Sequence, residues 1–195
     1  MNFLAHLLLS HHNQNLLIGN FIADEVKGNQ YKNYSTEIAN GILMHRFIDN
    51  YTDTHQNVLE CTKILRPHLS KFSPVALDIF FDYFLANQWQ QHHESNLEIF
   101  TLNVYATLKA NENSFPERSK YILKYMTEQN WLLSYADING IKKVLTGMSS
   151  RSKYGAILNG SEIYLKNHES ELKHNFDIFF KELKSEIVLT DWVNL

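Results

Sequence analysis

Between Gly41 and His55 the chain carries His45, Asp49 and Asp53 at intervals of four, in the run Gly41-Ile42-Leu43-Met44-His45-Arg46-Phe47-Ile48-Asp49-Asn50-Tyr51-Thr52-Asp53-Thr54-His55. On a helix, residues four apart share a face, so His45 sits beside Asp49 and Asp49 beside Asp53. Ile38 and Ile42 occupy the same stripe one and two turns earlier, which turns the polar groups toward the interior. Burying a carboxylate there is costly unless it is paired, hydrogen-bonded or bound to a metal. An imidazole and a carboxylate one turn apart can hold one divalent ion or form a base and its orienter. Helical drift limits the set, because eight residues rotate about 80° around the axis. His45 and Asp53 therefore do not address one ion, and Asp53 is left to orient a water, a neighbour or Arg46.

Two further groups invite the same chemistry. Asn20 and Asp24 stand one turn apart in Gly19-Asn20-Phe21-Ile22-Ala23-Asp24, among apolar neighbours. Asp78 and Asp82 sit in the aromatic stretch Leu77-Asp78-Ile79-Phe80-Phe81-Asp82-Tyr83-Phe84-Leu85, where two carboxylates are costly without a shared cation. His6, in the apolar opening of the chain, could close the set. Each residue alone also has a plain structural reading. His45 can be a hydrogen-bonded core histidine, Asp49 a partner of Arg46, and Asp78 a first-turn acid favoured by the helix dipole. The convergence of several such groups on helix interiors is the signal. No Gly-rich phosphate loop, Cys-x-x-Cys or Gly-x-Ser-x-Gly offers another route. Histidine with several carboxylates suits Mn²⁺, Mg²⁺, Fe²⁺ or Zn²⁺.

The elements that must position these groups read as helices. Only seven Gly and three Pro punctuate 195 residues, which disfavours a turn-rich β fold. Helices are expected over 2–12, 15–27 (with Gly28 as its C′ residue), 36–57, from Ser73-Pro74 onward (with Ser73 as N-cap and Pro74 in the first turn), 96–110, 116–129 and 137–148. Ser114-Phe115-Pro116-Glu117 fits a capping box. Leu77, Phe81, Phe84, Leu85 and Trp89 mark one apolar face, and Leu172, Phe176, Phe179, Leu183 and Ile187 another. No segment alternates with period two, and no linker divides the chain. The expectation is an all-α, single-domain helical bundle over 1–195. A net charge of −3 argues against a nucleic-acid binder. The lone Cys61 fits a reducing cytoplasm, and no apolar stretch reaches the ~20 residues of a membrane span.

Taken together, Met1-Asn2-Phe3-Leu4-Ala5-His6-Leu7, Gly19 to Asp24 with Val26-Lys27-Gly28, Gly41-Ile42…His45-Arg46…Ile48-Asp49…Thr52-Asp53, Leu77-Asp78…Asp82-Tyr83-Phe84-Leu85…Trp89 and Gly147-Met148-Ser149-Ser150-Arg151 resemble the acyl carrier protein phosphodiesterase family. The blocks follow family order and span nearly the whole chain. The resemblance implies a helical fold distantly similar to HD-type metal phosphohydrolases. It implies a divalent metal, typically manganese, and hydrolysis of holo-acyl carrier protein, a strongly acidic protein, to the apo form and 4′-phosphopantetheine. Asp24, His45, Asp49 and Asp82 fall on matching positions as site candidates. The family usually reads Asp-His where this chain has Asp82-Tyr83, and a phenol does not replace a neutral imidazole as a ligand. His6 or His55 would then compensate.

The mechanism expected from this is metal-assisted phosphodiester hydrolysis, with a divalent ion held by Asp24, His45, Asp49 and Asp82 or His6. Arg46 would stabilise charge on the phosphate, and an Asp would orient the attacking water. Lys142, Lys143, Arg151 and Lys153 would form a basic rim for the acidic carrier protein. The alternatives are a nucleotide phosphohydrolase with a similar pocket, or an inactive helical module that binds a partner.

Overall fold

The computed structural model describes residues 1–150 and 153–192, and no strand occurs among them. Eleven α-helices run in order: α1 (Phe3–Ser10), α2 (Gln14–Ile22), α3 (Thr36–Thr54), α4 (Gln56–Leu69), α5 (Ser73–Asn87), α6 (Leu97–Ala110), α7 (Glu117–Glu128), α8 (Trp131–Ser134), α9 (Ile138–Ser149), α10 (Glu162–Asn167) and α11 (Glu169–Leu189). The all-α reading holds. Among the described residues no helix is long and apolar enough to cross a membrane.

α5 is the central rod. Ala76, Leu77, Ile79, Phe80, Phe81, Asp82, Phe84, Leu85 and Ala86 are all buried, and a helix apolar on every side must be enclosed. α1 lies on it with Leu4 through Ser10 buried, and α4, α9 and α11 pack around it. The stripe read from sequence on α11 is the one it buries, and Phe176 and Phe179 meet Phe81 at ring separations of 5.3 and 5.6 Å. Each such phenyl contributes about 1.5–3 kcal/mol by leaving water.

Several boundaries differ from the sequence reading. α3 stops at Thr54 because His55 adopts an extended backbone and becomes the cap of α4, its Nδ1 accepting from the Asn57 N–H. α4 itself was not expected, although Val58, Cys61, Leu65 and Leu69 are its buried face. α2 ends at Ile22 rather than Lys27 and passes into a 3₁₀ turn, Ala23–Glu25; Gly28, at φ +52°, opens a second one. Ser73 does not cap α5, since its hydroxyl donates to the Ser70 carbonyl. Ser114 likewise bonds the Asn111 carbonyl, and the capping residue of α7 is Pro116.

The packing of α2 on α3 fixes the site. The two helices cross at Gly19 and Gly41, where a Cβ on Gly19 would stand 2.1 Å from the Ile38 carbonyl oxygen. A Cβ on Gly41 would stand 2.3 Å from the Leu16 carbonyl oxygen. The backbones therefore touch, and Asn20 on one helix comes within reach of His45 on the other.

Candidate metal centre

α1, α2 and α3 deliver His6, Asn20, His45 and Asp49 to the floor of a pocket of about 330 Å³. Asn20 is the keystone. Its side-chain amide donates to the His6 carbonyl at 3.1 Å, which turns the amide oxygen toward the rings. That oxygen stands 2.9 Å from His6 Nδ1 and 2.9 Å from His45 Nδ1. An amide oxygen only accepts, so both rings carry their proton on Nδ1 when neutral and present a lone pair on Nε2. The rings are stacked with centroids 4.2 Å apart.

Both Nε2 atoms point at one carboxylate. Asp49 places one oxygen 3.2 Å from His6 Nε2 and the other 3.1 Å from His45 Nε2. Asp24, from the turn after α2, adds an oxygen 3.6 Å from His45 Nε2. Two donors sharing an ion at about 2.1 Å stand roughly 3.0–3.4 Å apart at right or tetrahedral angles, which is close to the separations observed. His6, His45 and Asp49 each offer one atom within 4.8 Å of the others. His6 Nε2 is buried and lacks a well-directed hydrogen bond. A buried lone pair without a donor, facing a carboxylate, is what a divalent cation satisfies. The residues present fit such an ion.

The electrostatics point the same way. Burial, with the neighbouring His45, pushes His6 down to about 4. Burial also opposes charge on His45, but Asp24 and Asp49 outweigh it and lift this imidazole to about 9. For Asp49, burial raises the pKa, yet the close approach of His45 and His6 holds it well below the usual carboxylate range. Asp24 is lowered chiefly by its hydrogen bond with His45. The cluster without metal thus carries a histidinium where an ion fits, between two carboxylates.

Of the residues expected from sequence, the structure brings His6, His45, Asp49 and Asp24 together, and Asp53 lines the same pocket one turn beyond Asp49. Burial raises the pKa of Asp53, and Asp78 adds to this. Asp82 lies elsewhere. Its fully buried carboxylate accepts from the Leu4 N–H at 2.8 Å and the Ala5 N–H at 3.3 Å, so it caps the N-terminus of α1. Desolvation by burial raises it to about 7. Arg46 also turns away from the pocket, donating to the Val26 carbonyl at 2.7 Å with its guanidinium 5.4 Å from the Tyr31 ring centre. Tyr83 packs against Phe84 and is not part of the pocket wall, and His55 pairs with Glu182 at 2.8 Å on another face. Arg151 lies outside the described residues. Two participants had no assigned role in the sequence reading: Asn20, as the shared anchor of both rings, and the Met1 ammonium, buried 2.9 Å from Asp78 in the pocket wall. Asn20 stood in view, but its spacing pointed to Asp24, not to two histidines from other helices.

Comparison with known proteins assigns the chain to a family. Residues 1–183 match the family model described as acyl carrier protein phosphodiesterase. A protein of that name from Enterobacter sp. (strain 638) is 34% identical over 184 residues, covering 94% of this chain and 95% of its own. Its namesake from Salmonella paratyphi A is 33% identical over 187 residues, covering 95% and 97%. That from Photorhabdus laumondii is 34% identical over 181 residues, covering 92% and 89%. No solved structure matches the chain significantly. By the family-model match over residues 1–183 and by relatives about one-third identical over nearly the whole chain, the chain belongs to the acyl carrier protein phosphodiesterase family.

Proposed function

We propose that this protein hydrolyses the phosphodiester joining 4′-phosphopantetheine to the serine of acyl carrier protein, releasing the apo protein, and that it needs a divalent ion, with Mn²⁺ the first choice. The observation that carries this reading is the pair of imidazole Nε2 atoms freed by Asn20 toward the single carboxylate of Asp49. His6, His45 and Asp49, with Asp24 beside them, would hold the ion, which supplies Lewis acidity to a phosphoryl oxygen. Asn20 keeps both rings in the ligating tautomer and orientation. Asp53 orients the attacking water from the pocket wall. Tyr83 stands off the pocket, so its phenol need not substitute for an imidazole.

Mass spectrometry of holo-acyl carrier protein incubated with the protein and Mn²⁺ tests this. The expected result is a mass loss equal to the phosphopantetheine group, abolished by chelation and by Asp49→Ala with circular dichroism unchanged. Retained turnover in Asp49→Ala refutes the site. Cleavage of nucleotides in preference to the carrier protein would favour the phosphohydrolase alternative.

A further inference from the structure

Beside the His–Asp cluster lies a second groove, walled by Phe3, Trp131, Val144, Gly147 and Met148, with Lys143 at its edge. The two spaces are contiguous, because Asn2, Phe3 and Met148 line both. The groove is built mainly of apolar side chains, with the amides of Asn2 and Gln129 and the hydroxyl of Ser134 set among them. Phe3 leans on Trp131 with ring centres 6.2 Å apart, which makes one continuous aromatic wall leading away from the metal ligands.

Gly147 gives this groove its meaning. It lies inside α9, where glycine costs about 0.5–1 kcal/mol relative to alanine. Gly140, in the same helix, has a packing reason, since a Cβ there would stand 2.0 Å from the Ser134 carbonyl oxygen. Gly147 has none. Among the described residues a Cβ at 147 would meet nothing within 4 Å, and its φ is unexceptional for any residue. Among the described residues the helix leaves open space at a residue that lines the groove, and the groove shares Asn2, Phe3 and Met148 with the pocket of the candidate metal centre.

We propose that this groove binds the arm attached to the phosphate: an extended, uncharged chain of amides and methylenes, running from the His–Asp cluster over Met148 and Gly147 toward Trp131. This rests on the phosphodiesterase reading and adds where the prosthetic arm lies. Amide groups of such a chain find Asn2, Gln129 and Ser134, its methylenes lie on Phe3, Val144 and Trp131, and its phosphate end is left at the cluster.

Calorimetric titration of the Mn²⁺-loaded protein with free 4′-phosphopantetheine and with inorganic phosphate tests the groove directly. In the unaltered protein the pantetheine arm should tighten binding by at least about tenfold over phosphate, roughly what burying two methylenes gives. Gly147→Leu places a side chain in the groove and raises helix propensity, so it should fold and erase that preference while leaving Mn²⁺ and phosphate affinity unchanged. Val144→Phe, one turn earlier on the same wall, should do likewise. Absence of the preference in the unaltered protein overturns the proposal. So does its survival in both variants, or an equal loss of affinity for the two probes. Holo-carrier-protein cleavage by the unaltered protein separates this from the underlying reading. Arm binding lost in the variants without any cleavage activity would leave the groove standing and refute the phosphodiesterase; cleavage without arm preference does the reverse.

Discussion

Asn20 accepts from two histidines through one oxygen, and its loss should be felt by the metal more than by the fold. Asn20→Leu keeps the volume but leaves both Nδ1–H groups without an acceptor and frees the rings to rotate. Mn²⁺ affinity should fall about 10–100-fold, read by calorimetry, with helicity retained in circular dichroism. Affinity equal to that of the unaltered protein would remove Asn20 from the site. His45 makes a second prediction. With its pKa raised to about 9 it is protonated at pH 7 in the metal-free protein, whereas His6, pushed down to about 4, is already neutral. A ligating nitrogen must be deprotonated. Mn²⁺ binding at pH 7 should therefore release about one proton, and affinity should rise about tenfold per unit from pH 6 to 8. Calorimetry in buffers of different ionisation enthalpy measures the count, and zero release contradicts the assignment of His45. His45 and Asp49 were legible in the sequence because one helical turn joins them. Asn20 was not, since nothing local tells that an amide from a second helix will meet rings from a first and a third. Arg46 misled for a related reason: adjacent to His45, it points about 100° around the helix, toward Val26 and Tyr31.

At the scale of elements, the crossing of α2 and α3 is set by the absence of two side chains. Gly41→Ala adds a methyl group where the neighbouring carbonyl oxygen leaves no space, so the helices must separate. A cost of about 1–3 kcal/mol, hence a Tm lower by roughly 2–12 °C, is expected. Because the crossing also brings Asn20 to His45, Mn²⁺ affinity should fall together with Tm; calorimetry and thermal melting on one sample read both. Loss of stability with metal affinity intact would show that the site does not depend on this contact. The strongly periodic faces of α5 and α11 were legible because they bury wide apolar stripes. α4 escaped notice although its buried positions run three, four and four apart, because His55 carries no sequence mark of a helix break and charged residues crowd the intervening positions. Asp82 shows the other limit. A carboxylate among phenylalanines does need a partner, and the sequence suggested a cation. The partner is the N-terminus of a helix seventy-seven residues away, whose N–H groups are invisible in any residue alphabet.

The molecule as a whole carries a net charge of −3 and, in the proposed reaction, meets an acidic protein. Encounter then depends on a local positive rim, for which Lys142 and Lys153 are exposed on the side of α9 and the turn that follows it. At ~0.15 M salt the screening length is about 8 Å, so such attraction is salt-sensitive. Lys142→Glu with Lys153→Glu should raise the apparent KM for holo-carrier protein several-fold and flatten its salt dependence, while cleavage of a small phosphodiester stays unchanged. Equal effects on both substrates would rule out recognition through this rim. One last consequence concerns the order in which the chain is made. All the proposed donors lie at or before residue 49, yet the helix that bears His6 is held at its first turn by the carboxylate of Asp82. A chain growing from its N-terminus possesses every ligand well before it can arrange them, and domains generally mature as units during synthesis. The proposed centre can therefore take its full arrangement only after α5 has been made, since Asp82 on α5 anchors the first turn of the helix that bears His6.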